Sequence, residues 1–388
     1  MCEGTLGVVL DVDRLRRERF ELIGELSVRC ELPGARSVDG TLSIADFNLS
    51  SARARSERAK LLADRGNAPE LDWHAIVEEF CQRVLQEDRV GQPAVDLRQL
   101  PKPSQDGDLN VEGLVFPRSH PTILFGDGGS AKSYLALFLA GRMAQQGRRV
   151  ALFDWELAGE DHRERLELLF PGSMPQILYA RCERPLVHDV DRLRRVVRDN
   201  GVEYCVFDSV AFACDGPPEA AEVAGRYFRA ARQIGGGGLH IAHINKSENA
   251  DQKPFGSTFW HNGARSSWFV EKSEESTDGD ILKIGLFNRK SNLGRLRPPA
   301  GFTIRFTEDR TTFQRCDPAD SPDLAKRLSI KQRMLALLQK GSWTAGQIAE
   351  ELDEELKSVQ RAIQRDKKLF LMLPGGKIGL MTRMAENG

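Results

Sequence analysis

Short runs of four to eight apolar residues recur through the middle of the chain, and the stretch after each repeats its apolar positions every three or four residues. The runs are "TILFG", "RRVALFDWE", "QILYARC", "EYCVFDSV" and "LHIAHI". Strand-like runs separated by amphipathic helices predict a parallel sheet covered on both faces. Three further runs, "SSWFVEK", "DILKIGLFN" and "FTIRFTED", read as an antiparallel extension. Together they predict an α/β domain over about residues 111–317.

The flanks have other periods. In the first 92 residues "GELSVRCEL" and "GTLSIADFNL" alternate as a hairpin-like pair, followed by the helical stretches "SARARSERAKLLADRG" and "LDWHAIVEEFCQRVLQED". A small α+β domain is expected there. "GQPAVDLRQLPKPSQDGDLN" is polar and proline-rich, so residues 93–110 read as a linker. After a second break, "DPADSPDLAKR", residues 325–388 read as three helices and two short strands, with Thr344 capping the second helix and Pro374, Gly375 and Gly376 turning between the strands.

Composition narrows the picture. With 55 Lys and Arg against 56 Asp and Glu the net charge is −1, so any nucleic-acid contact has to come from a local patch. The seven cysteines, at 2, 30, 81, 182, 205, 214 and 316, form no CxxC pair. They read as reduced thiols of a cytoplasmic protein, with neither a zinc site nor a disulfide framework. No run of 18 uncharged apolar residues occurs, so a membrane partner is not expected.

Candidate chemistry centres on "ILFGDGGSAKSYLALFLAG", residues 123–141. A phosphate-binding loop needs a buried strand, a loop whose N–H groups converge on phosphate, and a helix N-terminus behind it. Gly126, Asp127, Gly128, Gly129, Ser130, Ala131, Lys132 and Ser133 fill the eight positions, with Gly128 and Gly129 free to take positive φ. Lys132 would reach the β and γ phosphates of ATP, and the Ser133 hydroxyl would hold Mg2+. Ala131 stands where the pattern has glycine, at a cost of about 1 kcal/mol if its φ is positive. The bland alternative is a glycine-rich turn with a surface lysine.

Two strand ends supply carboxylates. "EYCVFDSV" puts Asp208 at a strand's C-terminal end, suited to Mg2+, and "VALFDWE" does the same for Asp154 and Glu156. A period of two places the latter pair on one face, with Glu156 farther out as candidate general base. A solvated acid at a strand end is the competing reading.

With those positions fixed, the middle zone resembles the RecA-like hexameric P-loop ATPases and helicases, in particular the RepA-type replicative helicases of plasmids. The resemblance rests on "GDGGSAKS", "FDWE", "VFDS", "HIAHINK" and "GSTFWHNGAR" in order, with "RKSNLG" trailing. It implies a RecA-like P-loop core, with Glu156 activating water, Asp208 serving Mg2+ and His243 sensing the γ-phosphate. Arg265 is implied as an arginine finger reaching a neighbouring subunit's site, and Lys290 as a second cation beside Arg289. It further implies a homo-oligomer, a hexamer favoured, with single-stranded DNA in a ring channel touched by Lys246 and Lys253 of "NKSENADQKPFGS". For Arg265 and Lys290 the alternative is an ordinary surface charge, and for the lysine-bearing segment a surface loop.

The C-terminal zone resembles a winged helix-turn-helix. On its third helix Leu356, Val359 and Ile363 share one face and Ser358, Arg361 and Arg365 the other. From Lys357 onward seven cations stand against two acids, a patch suited to duplex DNA or to a protein partner. The N-terminal zone reads as an oligomerisation collar or docking domain. Three functions remain: a DNA motor or helicase, an ATP-dependent loader or switch, and a winged-helix regulator that senses nucleotide.

Overall fold

The structure is a computed structural model, described here for residues 2–3, 7–91, 94–101, 108–244, 254–255, 258–274, 279–292 and 294–381. The chain divides into two compact units, residues 1–102 and 103–388. The first holds the antiparallel strands β1 (Cys2–Glu3), β2 (Val8–Glu18), β3 (Glu21–Cys30) and β4 (Thr41–Asn48), in that order across the sheet, then α1 (Ala52–Gly66) and α2 (Trp73–Val90). Ser51 and Asp72 cap the helices, each accepting from a backbone N–H three residues on. Leu26, Val28, Leu62, Trp73 and Val77 share the core between sheet and helices. β2 is not foreseen, because the acids and arginines of "DVDRLRRE" hide its alternation.

The second unit opens with a hairpin, β5 (Asp108–Val111) and β6 (Leu114–Pro117), so its fold begins inside the stretch that reads as linker. Then follow β7 (Pro121–Gly126), α3 (Lys132–Gln145), β8 (Val150–Asp154), α4 (Gly159–Leu169), β9 (Ile177–Arg181), α5 (Val190–Asp199), β10 (Tyr204–Asp208), α6 (Val210–Ala213), α7 (Ala221–Ile234) and β11 (Gly237–His243). After them come α8 (Thr258–Gly263), β12 (Ser266–Lys272), β13 (Ile281–Ser291), β14 (Ala300–Phe306), β15 (Thr311–Cys316) and α9 (Pro322–Ala325).

Strands β7 to β15 make one nine-stranded sheet, ordered β15-β14-β13-β12-β7-β11-β10-β8-β9. β12 pairs parallel with β7, so the antiparallel extension starts one strand later than its sequence suggests and gains β15. Alternate strand residues feed two cores. Leu124, Leu152, Val206 and Ile241 meet α3 and α4 on one face; Phe125, Phe153, Phe207 and Ala242 meet α5, α7 and α8 on the other. Burial on both faces is what turns the strands into near-continuous apolar runs.

The chain ends in α10 (Ile330–Gln339), β16 (Trp343–Thr344), α11 (Ala345–Glu351), α12 (Leu356–Arg365), β17 (Phe370–Leu373) and β18 (Lys377–Leu380). Met334, Ile348, Val359, Phe370 and Ile378 form their own small core. Leu356 is exposed, so the apolar face of α12 is carried by Val359, Ala362 and Ile363 instead.

Candidate nucleotide site

Parallel strands expose their carboxyl ends along one edge of the sheet, and in open α/β folds that edge is where ligands settle. β7, β8, β10 and β11 end there in Gly126, Asp154, Asp208 and His243. Gly126 is glycine for a packing reason, since a Cβ would lie 2.2 Å from the Val270 carbonyl oxygen of β12. The loop then folds around its own lysine. Lys132 Nζ donates to the carbonyls of Gly126 at 3.1 Å and Asp127 at 2.7 Å, and Ser130 Oγ donates to the Asp127 carbonyl at 2.8 Å.

Burial pushes the Lys132 ammonium down to about 8, against the opposing pull of Asp127, Asp208 and Glu156. Asp127, Gly128 and Gly129 form the exposed crest. Gly129 has positive φ, whereas Gly128 does not. Ala131 adopts φ 55°, ψ 27°, the left-handed conformation that glycine takes most easily. Its methyl packs against the apolar cluster beneath α3, which offsets part of that strain.

Asp208 is buried, and loss of water raises its carboxyl to about 6. Ser133 hydrogen-bonds this carboxylate, while its Oδ1 has no partner. A hydroxyl and a buried carboxylate oxygen left unsatisfied beside a phosphate-type loop fit a hard cation such as Mg2+, which takes few protein oxygens. His243 pairs with Gly126 across β11 and β7. Burial, then Lys132, hold its pKa below the ordinary value, so the ring is neutral near pH 7.

Glu156 departs from the strand periodicity. β8 ends at Asp154, whose fully buried carboxylate accepts the N–H groups of Glu156 at 3.1 Å and Leu157 at 2.9 Å and turns the chain. Arg181 of β9 donates to the same carboxylate at 3.1 Å, and His162 Nε2 of α4 lies 3.5 Å from it. Asp154 therefore turns inward as a structural anchor, and Glu156 is exposed; the two do not share a strand face. The Glu156 charge acts on Lys132, Asp208 and His243 alike, so the four groups form one electrostatic unit. Sequence reasoning misses the Asp154–Arg181–His162 cluster, because nothing in the spacing of three residues on three elements announces it.

Arg265 and Lys290 lie elsewhere. Arg265 precedes β12, and its N–H donates to the Pro121 carbonyl at 3.0 Å, five strand residues or roughly 16 Å from Gly126. Lys290 Nζ donates to the carbonyls of His261 and Asn262 at 2.7 and 3.2 Å. Burial and Arg265 lower its pKa. Within one chain neither cation joins the loop. Lys246 and Lys253 lie outside the described residues; the segment's ends meet where Phe255 N donates to the His243 carbonyl at 2.9 Å. On α12, Arg361 and Arg365 are exposed and Ser358 is half-buried. Among the described residues no helix is long and apolar enough to cross a membrane.

Residues 86–249 match the family model of the AAA domain, a span containing the loop, Glu156, Asp208 and His243. The match covers less than half of the chain; with the mostly parallel sheet it gives the central region a RecA-like α/β fold built on a P-loop core. Among solved structures the chain is similar to a KaiC-like protein from the archaeon Pyrococcus horikoshii OT3, at 16% identity and TM-score 0.42 over 55% of this chain and 95% of that one. It is also similar to the ATPase domain of G40P, at 13% identity and TM-score 0.43 over 62% of this chain and 99% of that one. No curated protein matches the chain.

Proposed function

We propose that the protein is an ATP-hydrolysing, DNA-acting motor or helicase of the RepA-like kind, working as a ring of identical copies in plasmid- or phage-type DNA replication or recombination. One observation carries this reading: Lys132, Ser133, Glu156, Asp208 and His243 meet on one edge of the sheet, while Arg265 and Lys290 lie on the other. Lys132 leaves its carbonyl partners to meet the β and γ phosphates. Ser133 and Asp208 would hold Mg2+, which when bound neutralises charge on the phosphates. Glu156 takes the proton of the attacking water, and neutral His243 hydrogen-bonds the γ-phosphate and relays its loss to the segment that follows it, which carries Lys246 and Lys253. Arg265, with Lys290 beside it, completes the neighbouring copy's site by stabilising charge on the transferred group.

The order α10-β16-α11-α12-β17-β18 supports a winged helix-turn-helix. Its exposed Lys357, Arg361, Arg365, Lys367 and Lys368 suit a DNA backbone, with Ser358 at the base of the same face. The left-handed Ala131 favours a second reading, an ATP-dependent loader or switch with slow turnover.

The test is ATP turnover by wild type and Glu156→Gln with and without single-stranded DNA, beside a strand-displacement assay. Wild type is expected to turn over faster with DNA and to displace a strand. Glu156→Gln should bind ATP yet hydrolyse it about 100-fold or more slowly. Turnover indifferent to DNA would sink the motor, and DNA-stimulated turnover without displacement would favour the loader.

A further inference from the structure

A second concavity opens at the other edge of the central sheet, where α7 runs into β11. It encloses about 440 Å3 and is lined by His120, Arg232, Arg265, His240 and the run Gly235–Gly238, with no carboxylate in its wall. The glycines have separate reasons. At Gly237 a Cβ would lie 2.2 Å from the Arg118 carbonyl oxygen, so backbone packing alone demands glycine. At Gly238 a Cβ would lie 2.8 Å from the Phe207 ring and 2.9 Å from His240 Nε2, so any side chain would fill the floor of the cavity.

His240 is buried and fixed. It stacks on Phe207 at 4.3 Å, and its Nδ1 is 2.8 Å from the Tyr227 hydroxyl. Burial pushes its pKa down to about 3, so it stays neutral, with Nε2 beside the Gly238 floor. The cations above it are poorly compensated. Among the described residues Arg232 Nη2 donates to the Gly263 carbonyl at 3.1 Å, and its guanidinium lies 6.0 Å from the Phe228 ring centre. Neither the Arg265 guanidinium nor the His120 ring makes a hydrogen bond or salt bridge among the described residues. Burial, then the charges of Arg265 and Arg232, lower the His120 pKa; the opposing acid is Asp108, which is itself paired with Arg297 at 3.2 Å.

We propose that this cavity binds a phosphate-bearing anion, with Arg232 and Arg265 as charged donors, His120 as a third partner and His240 as a neutral floor. Two guanidinium groups turned to one carboxylate-free cavity are stabilised by an anion between them, and the planar fork of arginine matches phosphate oxygens in pairs. The phosphate has two possible sources. It is either the polyphosphate end of a nucleotide held by the loop of a second copy, which rests on the ring reading above, or a free polyphosphate, which does not.

The probe is inorganic pyrophosphate, titrated calorimetrically into full-length Lys132→Ala, which silences the loop, at dilutions where sedimentation shows single copies. Saturable binding that weakens at least tenfold in Lys132→Ala/Arg232→Ala and Lys132→Ala/His120→Ala assigns a free anion. Arg232 is exposed and His120 half-buried, so both variants should fold; Gly238→Val should abolish binding if it folds. If dilute protein takes no pyrophosphate, but Arg232→Ala in the otherwise wild-type assembly loses tenfold or more in ATP turnover, with ATP binding kept, the anion is the second copy's nucleotide. Absence of both effects overturns the proposal. Binding of pyrophosphate needs no turnover, so loss of the ATPase reading would leave that arm standing.

Discussion

The two edges of the central sheet carry opposite kinds of chemistry. Along the carboxyl ends of β7, β8, β10 and β11, charges of both signs are interleaved: Lys132 is pushed down and Asp208 up by the same burial, and Glu156 acts on both. The opposite edge gathers His120, Arg232 and Arg265 around a cavity without a carboxylate in its wall, and Lys290 lies close enough to Arg265 to feel its charge. The first edge has a loop, an exposed acid and a place for a cation, and its arginine, Arg181, is taken up by Asp154. The second has arginines and no loop. Phosphoryl transfer needs a loop that holds phosphate and free cations that stabilise the transferred charge, so under the proposed function the two edges are half-sites that operate when copies meet.

The largest expected effect comes from Asp208→Asn. With its carboxyl raised to about 6, the folded protein holds the proton more tightly than the unfolded chain, so stability falls as pH rises from about 4 through about 6. The side chain is buried, and the asparagine carries no charge to desolvate. Ligand-free Asp208→Asn should therefore be up to about 3 kcal/mol more stable than wild type at pH 7, the gain vanishing below pH 4, while ATP turnover falls about 100-fold or more. Denaturant unfolding at both pH values reads the first effect. A variant less stable at pH 7 would mean that Asp208 is held by partners and not left for a cation.

Much of the first edge is legible in the sequence, because local rules write it. A buried strand, a loop of fixed length and a helix start place Gly126 to Ser133 without knowledge of the fold, and the strand-end positions of Asp208 and His243 follow from runs of apolar residues. What is not legible depends on distant partners. The inward turn of Asp154 needs Arg181 and His162 from other elements, and the parallel pairing of β12 is decided by its return beside β7. The cationic cavity is illegible for the same reason: His120, Arg232 and Arg265 are far apart in sequence.

The smallest expected effect is at Ala131. Glycine would relieve roughly 1 kcal/mol of left-handed strain but lose the packed methyl and stiffen the unfolded chain less. Ala131→Gly is expected to leave stability within about 1 kcal/mol, and ATP affinity and turnover within about fivefold, of wild type. A rise in turnover well beyond that would identify the alanine as a brake and favour the switch over the motor.

The relation between the two edges is tested most directly by mixing two inactive proteins. Lys132→Ala removes the loop's cation and keeps Arg265; Arg265→Ala does the reverse. If the edges complete one another between copies, each variant alone is inactive, and a random mixture regains turnover at about a quarter of its interfaces. Recovery on mixing is the predicted result; a mixture as silent as its components, with assembly intact, would contradict the account.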